Sequence, residues 1–133
     1  MKIVLDTNIF VSAYLHNGNP RKVYHRVVNG LDELYITDDI LMELHKVLLR
    51  KKFDIGINEV EDFVNIIESY SIKVICQNEP ENISRDIDDN KILQCGVEGN
   101  VDYIITGDKD LLVLDNYKNI RIVNSSEYLN ILL

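Results

Sequence analysis

The 133-residue chain has two cysteines, two prolines and no apolar run longer than the four residues Leu111–Leu114. A membrane-spanning helix needs about 20 apolar residues, so no membrane span is expected. The opening MKIVLD sets one Lys and three apolar residues before an Asp. A secretory signal carries an apolar stretch of about 7–15 residues, so a cytoplasmic location is expected instead. Cys76 and Cys95 form no CxxC and stand 19 apart. In a reducing compartment they read most simply as core thiols. An excess of basic charge is also missing: 14 Lys and Arg face 22 Asp and Glu, a net charge of −8. A protein that grips nucleic acid through counterion release alone is usually basic, so any action on phosphates needs another local source of positive charge.

Several motifs are absent too. The chain has no GxGxxG, no GxxxxGK[ST] and no GxSxG, so dinucleotide cradles, P-loops and nucleophile elbows drop out. His16, His25, His45 and the two cysteines lack zinc-ligand spacing. The stretch DIDDN at 86–90 starts like an EF-hand loop, but Lys91 stands where the glycine is needed and Val97 where the bidentate Glu is needed. No internal repeat or low-complexity segment is present.

What remains is ordinary globular usage, 46% hydrophobic and 27% charged, over a length suited to one domain spanning 1–133. Apolar runs alternate between two periods. Ile3–Leu5, Leu34–Ile36, Ile72–Cys76, Tyr103–Thr106 and Ile120–Val123 read as strands. A helix start is read at 8–15. Asn19-Pro20 is expected to cap a second helix closed by Gly30, and Thr37 a third with the stripe Ile40, Leu41, Leu44, Val47, Leu48. Asn58 with Glu61 resembles a capping box ahead of Val60, Phe63, Val64 and Ile67. Residues 77–87 read as a loop. A helix follows from about Asp88 to a stop at Gly99, a helical turn spans Leu111–Leu114, and Ser125 or Ser126 caps a final helix. Alternating β and α elements predict an α/β fold: a single-domain α/β/α sandwich around a central, mainly parallel sheet. Ligands of such sheets sit outside the carboxyl ends of the strands.

Four acids stand out against that frame. Asp6 and Asp108 follow buried strands. Either alone reads as a helix cap. Glu43 lies three after Ile40 and four before Val47, flanking the apolar stripe rather than opposing it. By itself it reads as a boundary Glu paired with Lys46 or Lys51. Asp89 stands in the same relation to Ile92 and Leu93; alone, 86–89 is an acidic helix start favoured by the dipole. Taken together, two strand-end acids and two helix-face acids turned toward the sheet converge, and converging carboxylates repel unless cations hold them. Oxygen-only ligands suit Mg²⁺ or Mn²⁺.

With VLDTNIFVSA at 4–13, Glu43 within LMELHKVL, DDNKILQCG at 88–96 and DYIITGDKDLL at 102–112, the sequence resembles the PIN-domain ribonucleases over essentially its whole length. The last two blocks look especially like a bacterial and archaeal branch of toxin–antitoxin nucleases. The resemblance implies four acids around one or two Mg²⁺ or Mn²⁺ ions, which match Asp6, Glu43, Asp89 and Asp108 here, with Asp110 as a further acid near the site. Asn8 and Thr106 match a polar and a small hydroxyl residue that position ligands or substrate. The implied activity is hydrolysis of RNA phosphodiesters, with metal polarising the phosphate and lowering the pKa of water. Asp6 and Asp108 are expected as direct ligands; Glu43 and Asp89 fit either ligation or orientation of the water. The four acids contribute −4 of the net −8, which two divalent ions would cancel. The resemblance also implies an RNA substrate, an antitoxin protein partner and a homodimer. Arg21, Lys22 and Arg26 cluster on one helix as candidate RNA contacts; Arg50, Lys51 and Lys52 read more simply as a basic helix end.

Other readings share parts of this pattern. A receiver-type phosphorylation domain would carry an acidic pair near the first strand, whereas Thr7 and Asn8 follow Asp6. A dehalogenase-type Mg²⁺ phosphatase would need a second acid where Asn8 stands. A PIN fold kept as an RNA- or protein-binding module without a toxin role differs only in lost activity, and this chain retains every acid.

Overall fold

Short β-rich runs of Ile, Val and Leu, too apolar to leave either face in water, build the centre of the molecule. The computed structural model describes residues 1–133. Its chain order is β1 (Lys2–Leu5), α1 (Thr7–Leu15), α2 (Asn19–Val28), β2 (Glu33–Ile36), α3 (Asp38–Leu48) and, after a 3₁₀ turn at Lys51–Phe53, α4 (Ile57–Tyr70). There follow β3 (Ser71–Lys73), α5 (Ile87–Gly99), β4 (Tyr103–Ile105), α6 (Lys109–Leu112), β5 (Asn116–Tyr117), β6 (Ile120–Val123) and α7 (Ser125–Ile131). The sheet order is β3-β2-β1-β4-β6-β5. All neighbours are parallel except the β5–β6 hairpin. This is the expected α/β architecture with a mainly parallel sheet.

Chain order reverses between β1 and β4. Ile3 lies opposite Leu34 on one side and Tyr103 on the other, and Leu5 lies opposite Ile105. The crevice outside the carboxyl ends of these two central strands is where such sheets bind ligands. Helix α5 packs across β1, β2 and β4, α1 packs on α2 and α3, and α7 packs on α2. One contiguous cluster of buried apolar side chains joins sheet and helices, including Ile3, Val4, Phe10, Leu44, Ile67, Leu93 and Ile104. No helix is long and apolar enough to cross a membrane.

Element ends depart from the sequence reading for local reasons. Asn19 is the first helical residue rather than the cap, because the Gly18 carbonyl already accepts from Lys22 N. Helix α4 starts two residues before the expected place: Gly56 O accepts from Val60 N, and no side chain caps it, so Asn58 is interior. Strand β3 spans 71–73 rather than 72–76. After one more bond, from Val74 N to Ile36 O, the chain leaves the sheet edge and Ile75 is left exposed. Asn100, at φ +50°, is the left-handed residue that ends α5. Gly99 serves packing instead, since a Cβ there would sit 3.0 Å from the Tyr35 ring. The turn read at 111–114 is a helix at 109–112 capped by Asp108. Asn124, paired with Glu127 in a capping box, starts α7 in place of Ser125 or Ser126. Strand β5 has only two residues, too few to show a period; Lys118 and Asn119, at φ +49° and +68°, make its tight turn. Cys95 is buried, Cys76 is half-buried, and both thiols are free.

Candidate active site

The sheet ladder itself fixes the first site residues. Asp6 N donates to Ile105 O at 2.9 Å and Thr106 N to Val123 O at 3.0 Å, so backbone pairing runs one residue past β1 and β4. Asp6 and Thr106 are thereby locked side by side although 100 residues apart in sequence. Thr106 Oγ1 donates to Asp6 Oδ2 at 2.7 Å and accepts from Asp108 N at 2.9 Å. Asn8 reaches back from the first turn of α1. Its Nδ2 donates to Asp6 Oδ2 at 3.2 Å, and its Oδ1 accepts from Gly107 N at 3.2 Å. Asp6 Oδ1 accepts from Thr7 N at 2.7 Å. Five hydrogen bonds thus order Asp6, Asn8, Thr106 and their neighbours, and two of them, Thr106 to Asp6 and Gly107 to Asn8, stitch the ends of the two central strands together.

Asp89 arrives from the first turn of α5, on the face packed against the sheet, and is 3% exposed. Its Oδ2 accepts from Ser84 Oγ at 3.2 Å. The turn carrying Ser84 is pinned by buried Asn90, whose Oδ1 accepts from Ile83 N and Ser84 N while its Nδ2 donates to Ser84 O. Asp86 caps α5 by accepting from Asp88 N at 2.9 Å. Asp108 caps α6 by accepting from Asp110 N on Oδ1 at 2.9 Å. A capping role and a place at the site thus coexist in Asp108.

Ligand oxygens of Asp6, Asp89 and Asp108 all lie within 4.8 Å of one another. None of the three pairs with a Lys or Arg. The electrostatics follow from that crowding. Burial raises the Asp6 pKa, and Asp108 and Asp86 push the same way against the bonds from Thr106 and Thr7. Burial, then Asp108, Asp86 and Asp6, push Asp89 up to about 7. Three buried or half-buried carboxylates aimed at one point without a counter-charge are what a hard divalent cation relieves, and an all-oxygen donor set suits Mg²⁺ or Mn²⁺. The residues present fit such an ion.

Glu43 lines the same cavity, of about 330 Å³, from α3. It stands outside the tight trio, beside Asp88. Burial and the Asp88 carboxylate raise its pKa, opposed by Lys46 and Arg50. Seven carboxylates line the cavity against two cations, Arg50 and Lys91. The sequence offered Arg50 only as part of a basic helix end and Lys91 only as the residue that breaks an EF-hand pattern. Their common cavity appears only once α3 and α5 are packed.

Other candidates lie elsewhere. Asp110 is absent from the cavity lining, and its carboxylate faces Arg85 at 3.3 Å. Arg21 bonds the α1 C-terminal carbonyls of Ala13 and Tyr14 at 2.7 and 2.9 Å. Arg26 grips buried Asp32 with two bonds, of 2.8 and 3.3 Å. Both guanidinium groups are engaged within the fold, whereas Lys22 is exposed and makes no ion pair. His16 and His25 are exposed, His45 is half-buried, and none lines the cavity.

Comparison with known proteins adds the family. The PIN domain family model matches residues 2–110. The chain is 34% identical over 128 residues to the uncharacterized protein MJ1680 of Methanocaldococcus jannaschii, covering 93% of this chain and 82% of the relative. A similar fold occurs in the crystal structure of VapBC2 from Rickettsia felis bound to a DNA fragment from their promoter. There the TM-score is 0.62 at 16% identity, over 93% of this chain and 98% of that one. At that identity the likeness is one of fold. With a family match over most of its length and the strand-end acids gathered at the switch point of the sheet, the chain belongs to the PIN-domain family.

Proposed function

We propose that the protein is a divalent-metal-dependent ribonuclease that hydrolyses RNA phosphodiester bonds, and that it is the toxin component of a toxin–antitoxin pair. The observation that carries the catalytic part is the trio Asp6, Asp89 and Asp108, gathered within 4.8 Å with no cation facing it. These three would hold Mg²⁺ or Mn²⁺. What the bound ion supplies is Lewis acidity toward a phosphate oxygen and a lowered pKa for water.

The chain's own residues do the rest. Thr106 and Asn8 hold the Asp6 carboxylate from one side, and Ser84 holds Asp89 from the other, so the trio is oriented before substrate arrives. Glu43 stands across the cavity with a raised pKa, suited to accept a proton from the attacking water. Arg50 and Lys91 line the same cavity and supply cations for the flanking phosphates of an RNA strand. Lys22 adds an exposed charge farther along α2. The Rickettsia felis structure holds a VapBC pair on promoter DNA. With the matching fold, this supports an antitoxin protein partner. A homodimer is part of the same reading.

End-labelled single-stranded RNA, incubated with the protein in Mg²⁺, Mn²⁺ or EDTA, tests this. Cleavage is expected with metal only, and Asp6→Asn or Glu43→Gln lowers it at least about 100-fold. Retained cleavage by the double variant overturns the nuclease reading. Metal binding without cleavage of any RNA would favour a binding module instead. Light scattering reads the dimer, and co-purification with the product of an adjacent gene reads the antitoxin.

A further inference from the structure

A second cavity, of about 360 Å³, adjoins the acidic one, and its lining includes Asn8 and Ser12 from the acidic cavity. The chemistry changes at that boundary. The first cavity is crowded with carboxylates, whereas no charged residue lines the second. Asn8, Thr106, Asn124, Ser125 and Ser126 give it neutral donors and acceptors, and Ile9 and Pro20 give it an apolar surface. Its volume lies in the ~300–1,000 Å³ range of small-molecule pockets.

One of its residues is unfinished. Ser125 is 6% exposed, and its Oγ is hidden from solvent with no hydrogen-bond partner. Buried hydroxyls are nearly always bonded, so an unbonded one lining a polar cavity points to a partner from outside the chain. The wall between the cavities is built from Thr106 and Asn8, both bonded to Asp6 Oδ2. Whatever occupies the second cavity is therefore next to whatever reacts in the first.

We propose that this cavity is a nucleoside subsite, which takes the base and ribose of the nucleotide flanking the scissile phosphate. A nucleoside is uncharged, has an apolar face and is edged with donors and acceptors, the three properties the lining shows. Phosphate oxygens remain on the acidic side, where the trio and the two cations lie. The inference rests on the nuclease reading and deepens it, because it places substrate preference in Ser125 and its neighbours, away from the metal-binding acids.

Calorimetric titration in Mn²⁺ with each of the four nucleoside 5′-monophosphates, with ribose 5-phosphate and with inorganic phosphate tests it. At least one nucleotide is expected to bind about ten-fold more tightly than ribose 5-phosphate. Ser125→Ala removes a hydroxyl that bonds nothing in the fold, so the variant folds normally. It is expected to lose most of that preference while still binding phosphate and Mn²⁺. Gly107→Ala is the second variant. Its Cβ would sit 3.6 Å from Asn8 Oδ1, an ordinary contact that takes up room in the second cavity, which Gly107 lines. It should weaken nucleotide more than phosphate. Equal affinities for nucleotides and ribose 5-phosphate, or a preference that survives Ser125→Ala, overturn the subsite even where RNA is cleaved through Asp6. Absence of Mn²⁺ binding and of cleavage would overturn the nuclease reading and the subsite together.

Discussion

Replacing Asp89 with Asn should make the metal-free protein more stable while removing its grip on metal. Asp89 is 3% exposed, and its carboxyl shares a corner with Asp6 and Asp108. Burial, then those neighbours, lift its pKa from 3.8 to about 7. The folded protein thus keeps a proton that the unfolded chain releases near pH 4. Below that pH the carboxyl is neutral in both states and the fold keeps its full stability. As pH rises toward about 7 the unfolded state gains relative to the folded one, and above about 7 the loss is complete.

The gap between 3.8 and about 7 converts to about 4 kcal/mol at ~1.36 kcal/mol per pH unit. A direct Coulomb estimate for two carboxylates 4.8 Å apart, at an effective dielectric constant of ~20, gives about 3 kcal/mol. Screening and relaxation remove roughly half, leaving about 2 kcal/mol. For a domain of this length that is a Tm increase of roughly 8 °C. The Asn amide oxygen still accepts from Ser84 Oγ, so no bond is lost. Scanning calorimetry of both proteins in EDTA from pH 4.5 to 8.5 should show the gain opening with pH and levelling above about 7. Mn²⁺ should then raise the Tm of the parent and leave the variant almost unmoved. A variant no more stable than its parent at pH 8 in EDTA, or a gain that does not grow with pH, refutes the reasoning.

Three further outcomes follow from packing and pairing. Asn90→Ala removes the three bonds that pin residues 83–84, and should cost about 2 kcal/mol in urea unfolding and speed amide exchange at Ile83 and Ser84. Asp32→Ala leaves Arg26 without its buried carboxylate, and should cost about 2–3 kcal/mol in the same assay. Gly96 lies against β4, where a Cβ would come within 2.9 Å of Ile104 Cδ1. Gly96→Val should therefore lower stability by about 2–4 kcal/mol, and a neutral result would show that Ile104 moves freely in the core.

Much of this fold is written in side-chain periodicity. The stripe Ile40, Leu41, Leu44, Val47, Leu48 announces α3 because a surface helix must bury one face, and all but the half-buried Val47 are buried. The runs Ile3–Leu5 and Ile104–Ile105 announce central strands because both faces are covered. Helix ends were less legible. Gly18 and Gly56 occupy the cap positions, where Asn19 and Asn58 carry the sequence signal, because backbone carbonyls alone start those helices. Pairing residues was legible only where one residue type demands it. Asp6 and Asp108 show themselves by standing at strand ends. That Asp89 closes with them while Glu43 faces Asp88 depends on how α3 and α5 pack, which no spacing within either helix encodes. The duties of Arg21 and Arg26 were hidden for the same reason: their partners are backbone carbonyls of α1 and a buried Asp beyond α2.

The bond from Thr106 Oγ1 to Asp6 Oδ2 spans 100 residues, and β1 finds its partner β4 only across that interval. During synthesis at about 5–20 residues per second, some 5–20 s separate the emergence of the two halves. Until then β1 has only β2 to pair with and its other edge stays open, and the trio of carboxylates does not exist. A nascent chain that has not yet extruded Asp108 therefore carries no assembled acid cluster, and truncation anywhere before Asp108 leaves the centre permanently incomplete.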